Sequence, residues 1–482
     1  MQQDAAKTLT KQDEAPLARL ALRFTAWAER WYPDAYVFVA MVVVIVALAA
    51  VVRGASPFVV AKAFGDGFWS LITFSLQVSM IAINGYVVAS APLVLRLIDR
   101  SASLPRSGRT AVAFVAAISV LLSLLNWSVS LIFSGLLARA LARRAELKMD
   151  YRAAGAAAYL GLGATWALGL TSAPAQIQAN AASLPKSLLA ITGVIPMTDT
   201  IYLWQSIVLA LALVALSVAV SYFSAPAGER AVTAEMMGVD LHKADRAGET
   251  PEATRPAEWL EHSPVLTILV VALGVLWIVN EFSGKNPFIA LSNLNTYNFV
   301  LFMVALLLHW RPKSYLKAAA TAVPAISGVL VQFPFYGGIA AILTTAAVSD
   351  GHTLSDWLAR FFISISSANT FPSIISIYSA VLGFFLPSGG GKWIIEAPYV
   401  IQAAKDLHIH LGWTVQIYNA AEALPNLINP FWMLPLLGVL AIKARDIVGF
   451  TFLQFVIHLP IVLLLVTLLA GTLTYAPPVI PQ

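Results

Sequence analysis

The feature that most constrains the fold of this chain is a series of long apolar runs along the sequence. Two of them, Ala35–Val52 and Ser206–Ser224, contain no charged residue. A helix of about 18 or more apolar residues can cross the hydrocarbon core of a bilayer, which is roughly 30 Å thick. Charged residues make up only 11% of the chain, against about 25% in an average soluble domain. The sequence therefore predicts an all-α polytopic membrane protein embedded in a lipid bilayer.

Lysine and arginine residues indicate how the chain is oriented, because cytoplasmic loops of membrane proteins concentrate them. Residues 1–34 are rich in basic side chains and have an amphipathic pattern, so we expect a cytoplasmic N-terminus with an interfacial helix before the first span. The net charge of +5 is accounted for by basic loops of this kind. Nucleic-acid binding is therefore not expected.

The apolar segment 110–138 has a basic cluster on each side. A single crossing would leave one of these clusters outside the cell, whereas a re-entrant hairpin keeps both in the cytoplasm. The segment also has a polar break at its middle, Asn126-Trp127-Ser128. We predict a hairpin, hairpin one, near 110–138, with one long tilted helix as the alternative.

The two halves of the chain show the same order of predicted elements: helix, helix, re-entrant hairpin, helix, helix. An odd number of crossings separates the halves, so the second is predicted to be inverted, as is common in secondary transporters. The predicted parts are repeat 1 at 35–224, a cytoplasmic linker at 225–262, a linker transmembrane helix at 263–281, and repeat 2 at 297–475 with hairpin two near 361–403.

A glycine-rich stretch, "GFFLPSGGGKWIIEAPYV", lies in hairpin two. Irregular backbone at membrane depth is tolerated only where it is buried in protein or lines a cavity. We predict that a helix begins after the three glycines, with "KWIIEAPYV". Free glycine amides before such a helix N-terminus form an anion site, and an intramembrane lysine is a functional candidate. Close packing of helices is the alternative. The candidate substrate-binding residues here are Ser388, Gly389, Gly390, Gly391, Lys392 and Trp393.

The helix after each hairpin is predicted to be broken as well, in "GLTSAPAQIQAN" and in "EALPNLINPF". Hydroxyl and amide oxygens at such breaks can hydrogen-bond a carboxylate or hold Na⁺, whereas prolines that only kink a helix are the alternative. The candidates are Thr171 and Ser172 in the first half, and Asn426 and Asn429, which are also possible Na⁺ ligands, in the second. Gln332 is a further polar candidate inside an apolar span.

Glu422 is the first candidate for coupling transport to a proton. It precedes Asn426 by four residues, which places both side chains on one helix face. Glu396 is the second candidate, and a structural hydrogen bond to a neighbouring helix is the alternative role for Glu422.

The substrate class is inferred from the charges at depth. Lys392 is the one cation predicted deep in a span or hairpin, and the surroundings are apolar and aromatic. A small monocarboxylate with an apolar tail fits this pattern, whereas a dicarboxylate would need two positive partners. A dicarboxylate carrier and a cation/proton antiporter remain alternatives. The chain has no cysteine and shows no nucleophile–base pair or metal-ligand motif at depth, so an enzyme, a metal site or a cofactor other than a coupling H⁺ or Na⁺ is not expected.

Four strings spread over the chain carry a resemblance: "GDGFWSLITF", "LVQFPFYGGI", "FFLPSGGGKWIIEAPYVI" and "NPFWMLPLLG". With them the chain resembles the bacterial short-chain fatty acid uptake (AtoE-type) transporters of the ion-transporter superfamily. The resemblance implies uptake of butyrate, acetoacetate and similar acids across the bacterial inner membrane. It also implies two re-entrant hairpins, a scaffold with a moving transport domain, and a homodimer.

Many members of that superfamily carry Ser-Asn-Thr at the hairpin tips for Na⁺. This chain has Asn126-Trp127-Ser128 and Ser388-Gly389-Gly390 at its predicted tips, which leaves the coupling ion open. The string "SANTF", Ser367–Phe371, is placed in the first arm of hairpin two.

Overall fold

In a computed structural model of the chain, α-helices supply nearly all of the regular structure. The described residues are 35–241, 255, 258–285, 287–347, 351–429, 431–478 and 480. The predicted amphipathic segment 1–34 and part of the predicted linker lie outside them. For the described residues the all-α prediction is confirmed.

The first half of the chain contains two long helices, a helical hairpin, a region of short helices, and a third long helix before the linker. Its helices are α1 Ala35–Val52, α2 Pro57–Phe68, α3 Ile72–Ala89, α4 Pro92–Ser101, α5 Gly108–Leu125, α6 Trp127–Ala142, α7 Tyr151–Leu160, α8 Ala173–Gln178, α9 Lys186–Thr192 and α10 Trp204–Ser224.

The second half begins with the helix that was predicted at 263–281, which runs from Val265 to Phe282. Its helices are α11 Glu258–His262, α12 Val265–Phe282, α13 Pro287–Ser292, α14 Leu294–His309, α15 Pro312–Ala322, α16 Ser327–Thr345, α17 Leu354–Ile365, α18 Phe371–Phe385, α19 Gly389–Asp406, α20 Leu411–Ala423, α21 Leu434–Leu440 and α22 Ala444–Ala470.

Among the described residues, seven helices are long and apolar enough to cross a membrane. The number is eight if the bent pair Leu411–Leu427 and Phe431–Leu440 forms one span. A helix suits this environment because all of its backbone hydrogen bonds are internal, and hydrocarbon offers none. The prediction of a polytopic membrane protein agrees with these helices.

Helices α5 and α6 fold back on each other at Asn126. The Ser130 hydroxyl donates a hydrogen bond to the Ser119 carbonyl at 2.6 Å, which two residues so far apart in one continuous helix could not form. At the other end of the pair, a Cβ on Gly108 would lie 2.8 Å from the Lys148 carbonyl oxygen. The two ends of hairpin one therefore lie side by side, and re-entry into a membrane stays a prediction.

Helices α18 and α19 form hairpin two, with Leu386–Ser388 as the turn. The hydroxyls of Tyr378 and Tyr399, one on each arm, lie 2.8 Å apart. The first arm begins at Phe371 rather than near 361, because residues 361–365 belong to the separate helix α17. The segment Ser367–Phe371 accordingly joins α17 to α18 instead of lying within the arm.

Helix packing in the first half has a counterpart in the second. Helices α1 and α2 pack on α16, and α14 and α15 pack on α3. The second arms of the hairpins, α6 and α19, pack on α3 and α16 respectively, while the first arms, α5 and α18, pack on α7 and α20. This correspondence supports two repeats, whose inversion across a membrane stays a prediction.

Burial distinguishes the centre of the molecule from its periphery. The segment Tyr151–Gln178 is 94% buried, whereas only 17% of the span Val265–Phe282 is buried. An apolar helix with so many exposed side chains suits contact with lipid. The broken segment after hairpin one therefore lies at the centre of the protein, next to the site described below.

Candidate functional site

The tips of the two hairpins meet the broken segments of the opposite halves. The ring of Trp127, at the tip of hairpin one, lies 5.7 Å from the ring of Trp432, after the second break. Gly389, at the tip of hairpin two, packs against Trp166 beside the first break. The Asn426 amide also donates to the Leu162 carbonyl at 3.3 Å. Residues predicted separately from the two halves are thus brought to one central region.

Asn126 forms the break in hairpin one. Its side-chain oxygen accepts hydrogen bonds from the Ser128 and Val129 amides, both at 2.9 Å, which begins helix α6. Its amide group donates to the Tyr297 hydroxyl at 3.0 Å. The break is therefore this single residue, and Trp127 and Ser128, which were predicted to share it, form the first turn of α6.

The first broken segment contacts this tip directly. The Trp127 amide donates to the Thr171 hydroxyl at 3.2 Å, and the Ser128 hydroxyl donates to the Ala82 carbonyl at 2.8 Å. Ser172 begins helix α8 by accepting from the Ala175 amide. Thr171 and Ser172 are thus placed beside hairpin one, with both hydroxyls occupied by internal hydrogen bonds.

Gln332 lies on helix α16. Its side-chain oxygen accepts a hydrogen bond from the Tyr336 hydroxyl at 3.2 Å. Tyr336 in turn packs against Gly391 of hairpin two. Gln332 is therefore connected to the tip through this tyrosine.

The glycine triplet is helical. Ser388 accepts a hydrogen bond from the Gly391 amide at 3.3 Å and begins helix α19, so Gly389–Gly391 form its first turn. The prediction of a helix N-terminus at this point agrees with the structure. The prediction that the helix begins only after the glycines is wrong, because the Ser388 cap lies before them.

Each of the three glycines packs against an aromatic ring. A Cβ atom at any of these positions would overlap that ring, so the glycines permit a close approach that no other residue allows. The alternative of close helix packing therefore accounts for the triplet in this conformation. The contacts are Gly389 with Trp166, Gly390 with Phe74, and Gly391 with Tyr336.

Trp393 and Tyr418 form an aromatic pair behind the glycines. Their ring centroids lie 4.7 Å apart. The Trp393 indole donates to the Gln178 side chain at 3.3 Å, and the Tyr418 hydroxyl donates to the Gly389 carbonyl at 2.7 Å. These contacts tie hairpin two to helices α8 and α20.

Lys392 lies between two carboxylates. Its ammonium nitrogen is 2.9 Å from Glu396 Oε1 and 2.9 Å from Glu422 Oε2, and all three side chains are at most 1% exposed. It also donates to the Ser379 carbonyl at 2.9 Å and lies 4.3 Å from the centroid of the Tyr418 ring. Lys392, Glu396 and Glu422 are called the charge cluster below.

The charge cluster changes the reading of Lys392. Lys392 was predicted to be a cation for the substrate, whereas in the structure two carboxylates already surround it. Glu422 contacts helix α19 through this ion pair, and its Oε2 has no hydrogen-bond partner among the described residues. The alternative role for Glu422, a structural hydrogen bond to a neighbouring helix, therefore stays untested. Lys392 and Glu396 are four residues apart, a spacing that could have indicated their contact, but nothing local indicated the pairing with Glu422.

Asn426 and Asn429 lie in the second broken segment and face different partners. The Asn429 amide donates to the Phe384 carbonyl at 2.8 Å, and its oxygen accepts from the Phe431 amide at 2.9 Å. Asn426 Oδ1 is buried and has no hydrogen-bond partner among the described residues. Of the two predicted Na⁺ ligands, Asn426 is therefore the one with a free oxygen.

Sequence reasoning missed several aromatic residues of this region, among them Trp166, Tyr336, Tyr418 and Trp432. Tyr336 and Trp432 lie within strings that carry the family resemblance, but nothing in those strings indicates a contact with the tips. Only tertiary packing brings the four residues there. No group of three or more histidine, aspartate or glutamate side chains that could hold a metal ion occurs in the described part of the chain.

Solved structures resemble this arrangement of helices. The crystal structure of the YdaH transporter of Alcanivorax borkumensis matches with a TM-score of 0.56 at 14% identity, covering 91% of this chain and 98% of that one. The structure of MtrF of Neisseria gonorrhoeae, described as one of a class of antimetabolite efflux pumps, matches with a TM-score of 0.50 at 14% identity, covering 96% and 99%. This chain therefore shares the overall fold of these two proteins.

Sequence comparison assigns the chain to one family. The family described as "Short chain fatty acid transporter" matches residues 16–469, and this chain belongs to that family. A candidate short-chain fatty acid transporter of Escherichia coli strain K12 is 30% identical over 435 residues, which cover 90% of this chain and 96% of the relative. A similarly named protein of Haemophilus influenzae strain Rd is 28% identical over 455 residues, covering 92% and 98%. The resemblance read from the sequence motifs is confirmed.

Proposed function

We propose that this protein is a secondary active carrier that takes up short-chain monocarboxylates, such as butyrate and acetoacetate, with H⁺ or Na⁺. It acts in the bacterial inner membrane with its N-terminus in the cytoplasm. The observation that carries the proposal is the charge cluster, which is fully buried where hairpin two meets helix α20. Buried ionisable groups inside membrane proteins mark substrate or ion pathways.

The surroundings of the charge cluster favour a small monocarboxylate. Lys392 is the cation of the cluster, and Glu396 and Glu422 already oppose it. A dicarboxylate would bring two further negative charges to a region with one lysine. The rings of Trp393 and Tyr418, and the Trp166 ring against Gly389, offer an apolar surface for a short carbon chain.

The arrangement of hairpins and breaks supports transport by alternating access. Secondary carriers built from inverted repeats move one part of the molecule against the other around a central site. Here the hairpins and the broken segments would form the moving part, and α1, α2, α14 and α15 with their partners would form the scaffold. An elevator-like movement in a homodimer is the arrangement that the family resemblance favours.

The coupling ion has two candidates in the structure. Glu422 is a carboxylate that could carry a proton, and it is buried beside Lys392. Asn426 offers a buried, unpartnered oxygen and would serve as a Na⁺ ligand, with Asn429 beside it. The charge cluster favours H⁺, because protonation changes its net charge directly.

Counterflow in proteoliposomes tests this function. Vesicles loaded with unlabelled acetoacetate and diluted into labelled acetoacetate should accumulate label transiently, which a channel or an enzyme would not produce. Protein-free vesicles measure the passive leak of the neutral acid. Accumulation that requires Na⁺ would assign coupling to Na⁺, and accumulation of succinate in place of acetoacetate would support a dicarboxylate carrier.

A further inference from the structure

Three oxygens lie at 2.9 Å from the ammonium nitrogen of Lys392, namely Glu396 Oε1, Glu422 Oε2 and the Ser379 carbonyl. Glu396 and the Ser379 carbonyl accept hydrogen bonds from the ammonium. Glu422 Oε2 contacts it as an ion pair without a hydrogen bond. Because these oxygens and the Tyr418 ring surround the cation, a substrate carboxylate reaches it by taking the place of one of the three oxygens.

Two of the three oxygens are firmly held. The Ser379 carbonyl belongs to the backbone of helix α18. Glu396 lies one helical turn after Lys392 and is held at both oxygens, by the ammonium at Oε1 and by the Ser379 hydroxyl at Oε2. Two hydrogen bonds therefore fix the position of the Glu396 carboxylate.

Glu422 is the carboxylate that can leave. It lies on helix α20, outside the hairpin that carries the other two, and Lys392 is its one ion-pair partner among the described residues. Gly383 of helix α18 lets the carboxyl group lie close against the hairpin, since a Cβ at that position would lie 2.7 Å from Glu422 Oε2. Of the three oxygens, only Glu422 Oε2 is both outside the hairpin and without a hydrogen bond.

We propose that the substrate carboxylate replaces Glu422 at the Lys392 ammonium and that the displaced Glu422 takes up one proton from water. No covalent bond other than that to the proton is made or broken, and the ammonium keeps its own protons. This exchange rests on the proposed function, and it specifies how an organic acid and a proton are coupled.

The charge balance of the cluster explains why the proton is needed. With one ammonium and two carboxylates the net charge is −1. An added substrate carboxylate alone would make it −2 in a region of low dielectric, where unpaired charge is costly. A proton on Glu422 returns the net charge to −1, so one carboxylate and one proton enter together and the transport is electroneutral.

No other formally charged side chain faces the cluster within the described residues. The ionisable neighbours are tyrosines, which are neutral near pH 7 because their ordinary pKa is about 10. Each uses its hydroxyl in a hydrogen bond to a neutral group. They are Tyr418 to the Gly389 carbonyl, Tyr336 to Gln332, and Tyr378 and Tyr399 to each other.

The test counts protons and charge in proteoliposomes of the full chain with labelled acetoacetate, above the leak of protein-free vesicles. The wild type should accumulate label with an imposed pH gradient and take up about one proton per acetoacetate, measured with a trapped pH dye. A potassium diffusion potential alone should drive no accumulation. Electrogenic uptake by the wild type would contradict the proposed replacement of Glu422 by the substrate carboxylate.

Three variants locate the proton. Glu422→Gln should keep acetoacetate exchange, lose proton uptake with the substrate, and become sensitive to the diffusion potential, because the anion now moves alone. Glu422→Asp changes the side chain but keeps a carboxyl group, so it should keep proton coupling. This result would show that misfolding does not cause the loss of coupling in Glu422→Gln. Asp66→Asn, which removes a carboxylate from an exposed ion pair outside the cluster, is the control and should keep proton coupling too. Proton-coupled accumulation in Glu422→Gln at the wild-type ratio would overturn the inference.

The two proposals fail in different ways. If the wild-type protein exchanges no acetoacetate or butyrate above the leak, the proposed function is wrong. If the protein exchanges labelled substrate but its proton uptake does not depend on Glu422, the proposed function stands. The proposed replacement of Glu422 at Lys392 is then wrong.

Discussion

The ammonium of Lys392, on the second arm of hairpin two, lies 2.9 Å from Oε2 of Glu422 on helix α20, and neither side chain is more than 1% exposed. This contact joins the hairpin to the helix that follows it. Ion pairs without water are stable only while both partners are present, because a single buried charge loses its hydration without compensation. The stability of the contact between hairpin two and helix α20 therefore depends on both charged side chains.

Removal of the lysine should destabilise the protein strongly. Lys392→Gln leaves Glu396 and Glu422 buried without a cation, and breaking a buried ion pair in this way costs about 3–5 kcal/mol. We expect a clear drop in the thermal unfolding temperature of the purified protein in detergent. The triple variant Lys392→Met, Glu396→Gln, Glu422→Gln, which carries no charge at the site, should recover much of this loss.

A surface ion pair provides the control. Lys62 and Asp66 form a pair one helical turn apart, with side chains 75% and 67% exposed. Lys62→Gln should change stability by less than about 1 kcal/mol, because water screens such pairs. Equal effects of Lys62→Gln and Lys392→Gln would contradict the role given to the buried cluster.

The glycine triplet should be sensitive to a single methyl group. In Gly391→Ala the new Cβ would overlap the Tyr336 ring, so helix α19 or the tyrosine must move, at a cost of about 1–3 kcal/mol. Gly438, in helix α21, is the matched control, because a Cβ there meets nothing within 4 Å. Gly438→Ala should be neutral or stabilise by up to about 1 kcal/mol. The test compares the thermal unfolding temperatures of the two variants. Equal temperatures would contradict the packing role of Gly391.

Much of the fold could be predicted from local sequence. The apolar runs predicted the long helices, and a polar residue inside the segment 110–138 located the tip of hairpin one at Asn126. These features are local, because a side chain that caps a helix acts within a few residues. The start of helix α19 was misplaced since Ser388 acts as the cap one residue before the glycines, and glycine was taken as a sign of irregular backbone.

The site itself could be predicted only in part. The sequence singled out Lys392 and Glu422 separately, but their contact depends on how α19 packs against α20. The same holds for Trp166 and Gly389, which are far apart in the chain and touch because the first break lies against the tip of hairpin two. Such contacts are set by the tertiary packing of whole helices, which no short window of sequence contains.

His410 should make stability depend on pH. It precedes helix α20, and its Nδ1 accepts a hydrogen bond from the Trp413 amide at 3.0 Å. Burial lowers the pKa of His410 below its ordinary value of 6.5, and the charge of Asp199 opposes part of this effect. Because the unfolded chain then binds a proton more readily than the folded one, stability should fall as the pH drops below 6.5.

The variant His410→Asn tests this pH dependence. Asparagine is a good helix cap but does not titrate between about pH 5 and pH 8. The thermal unfolding temperature of the variant should therefore fall less than that of the wild type over this range. Parallel pH profiles of the two proteins would exclude His410 as a source of the dependence.

The ends of hairpin one should lie on the same side of the membrane. Arg144, after helix α6, donates hydrogen bonds to the carbonyls of Ala102 and Pro105, before helix α5, at 2.8 and 2.9 Å. Since the chain has no cysteine, single cysteines can be introduced at Arg106 and at Glu146, one at each end. We predict that an impermeant maleimide labels neither in intact cells and labels both after permeabilisation.

A cysteine at Ser56 is the control for the outer face, because this exposed residue follows the first predicted span, and it should react in intact cells. Labelling of Arg106 and Glu146 together, with Ser56 protected, would reverse the orientation of the protein but keep the hairpin. Labelling of only one of the two would mean that the segment between them crosses the membrane. The Arg144 hydrogen bonds to Ala102 and Pro105 could not form in such a protein. Both the re-entrant hairpin and the inverted repeat would then be wrong.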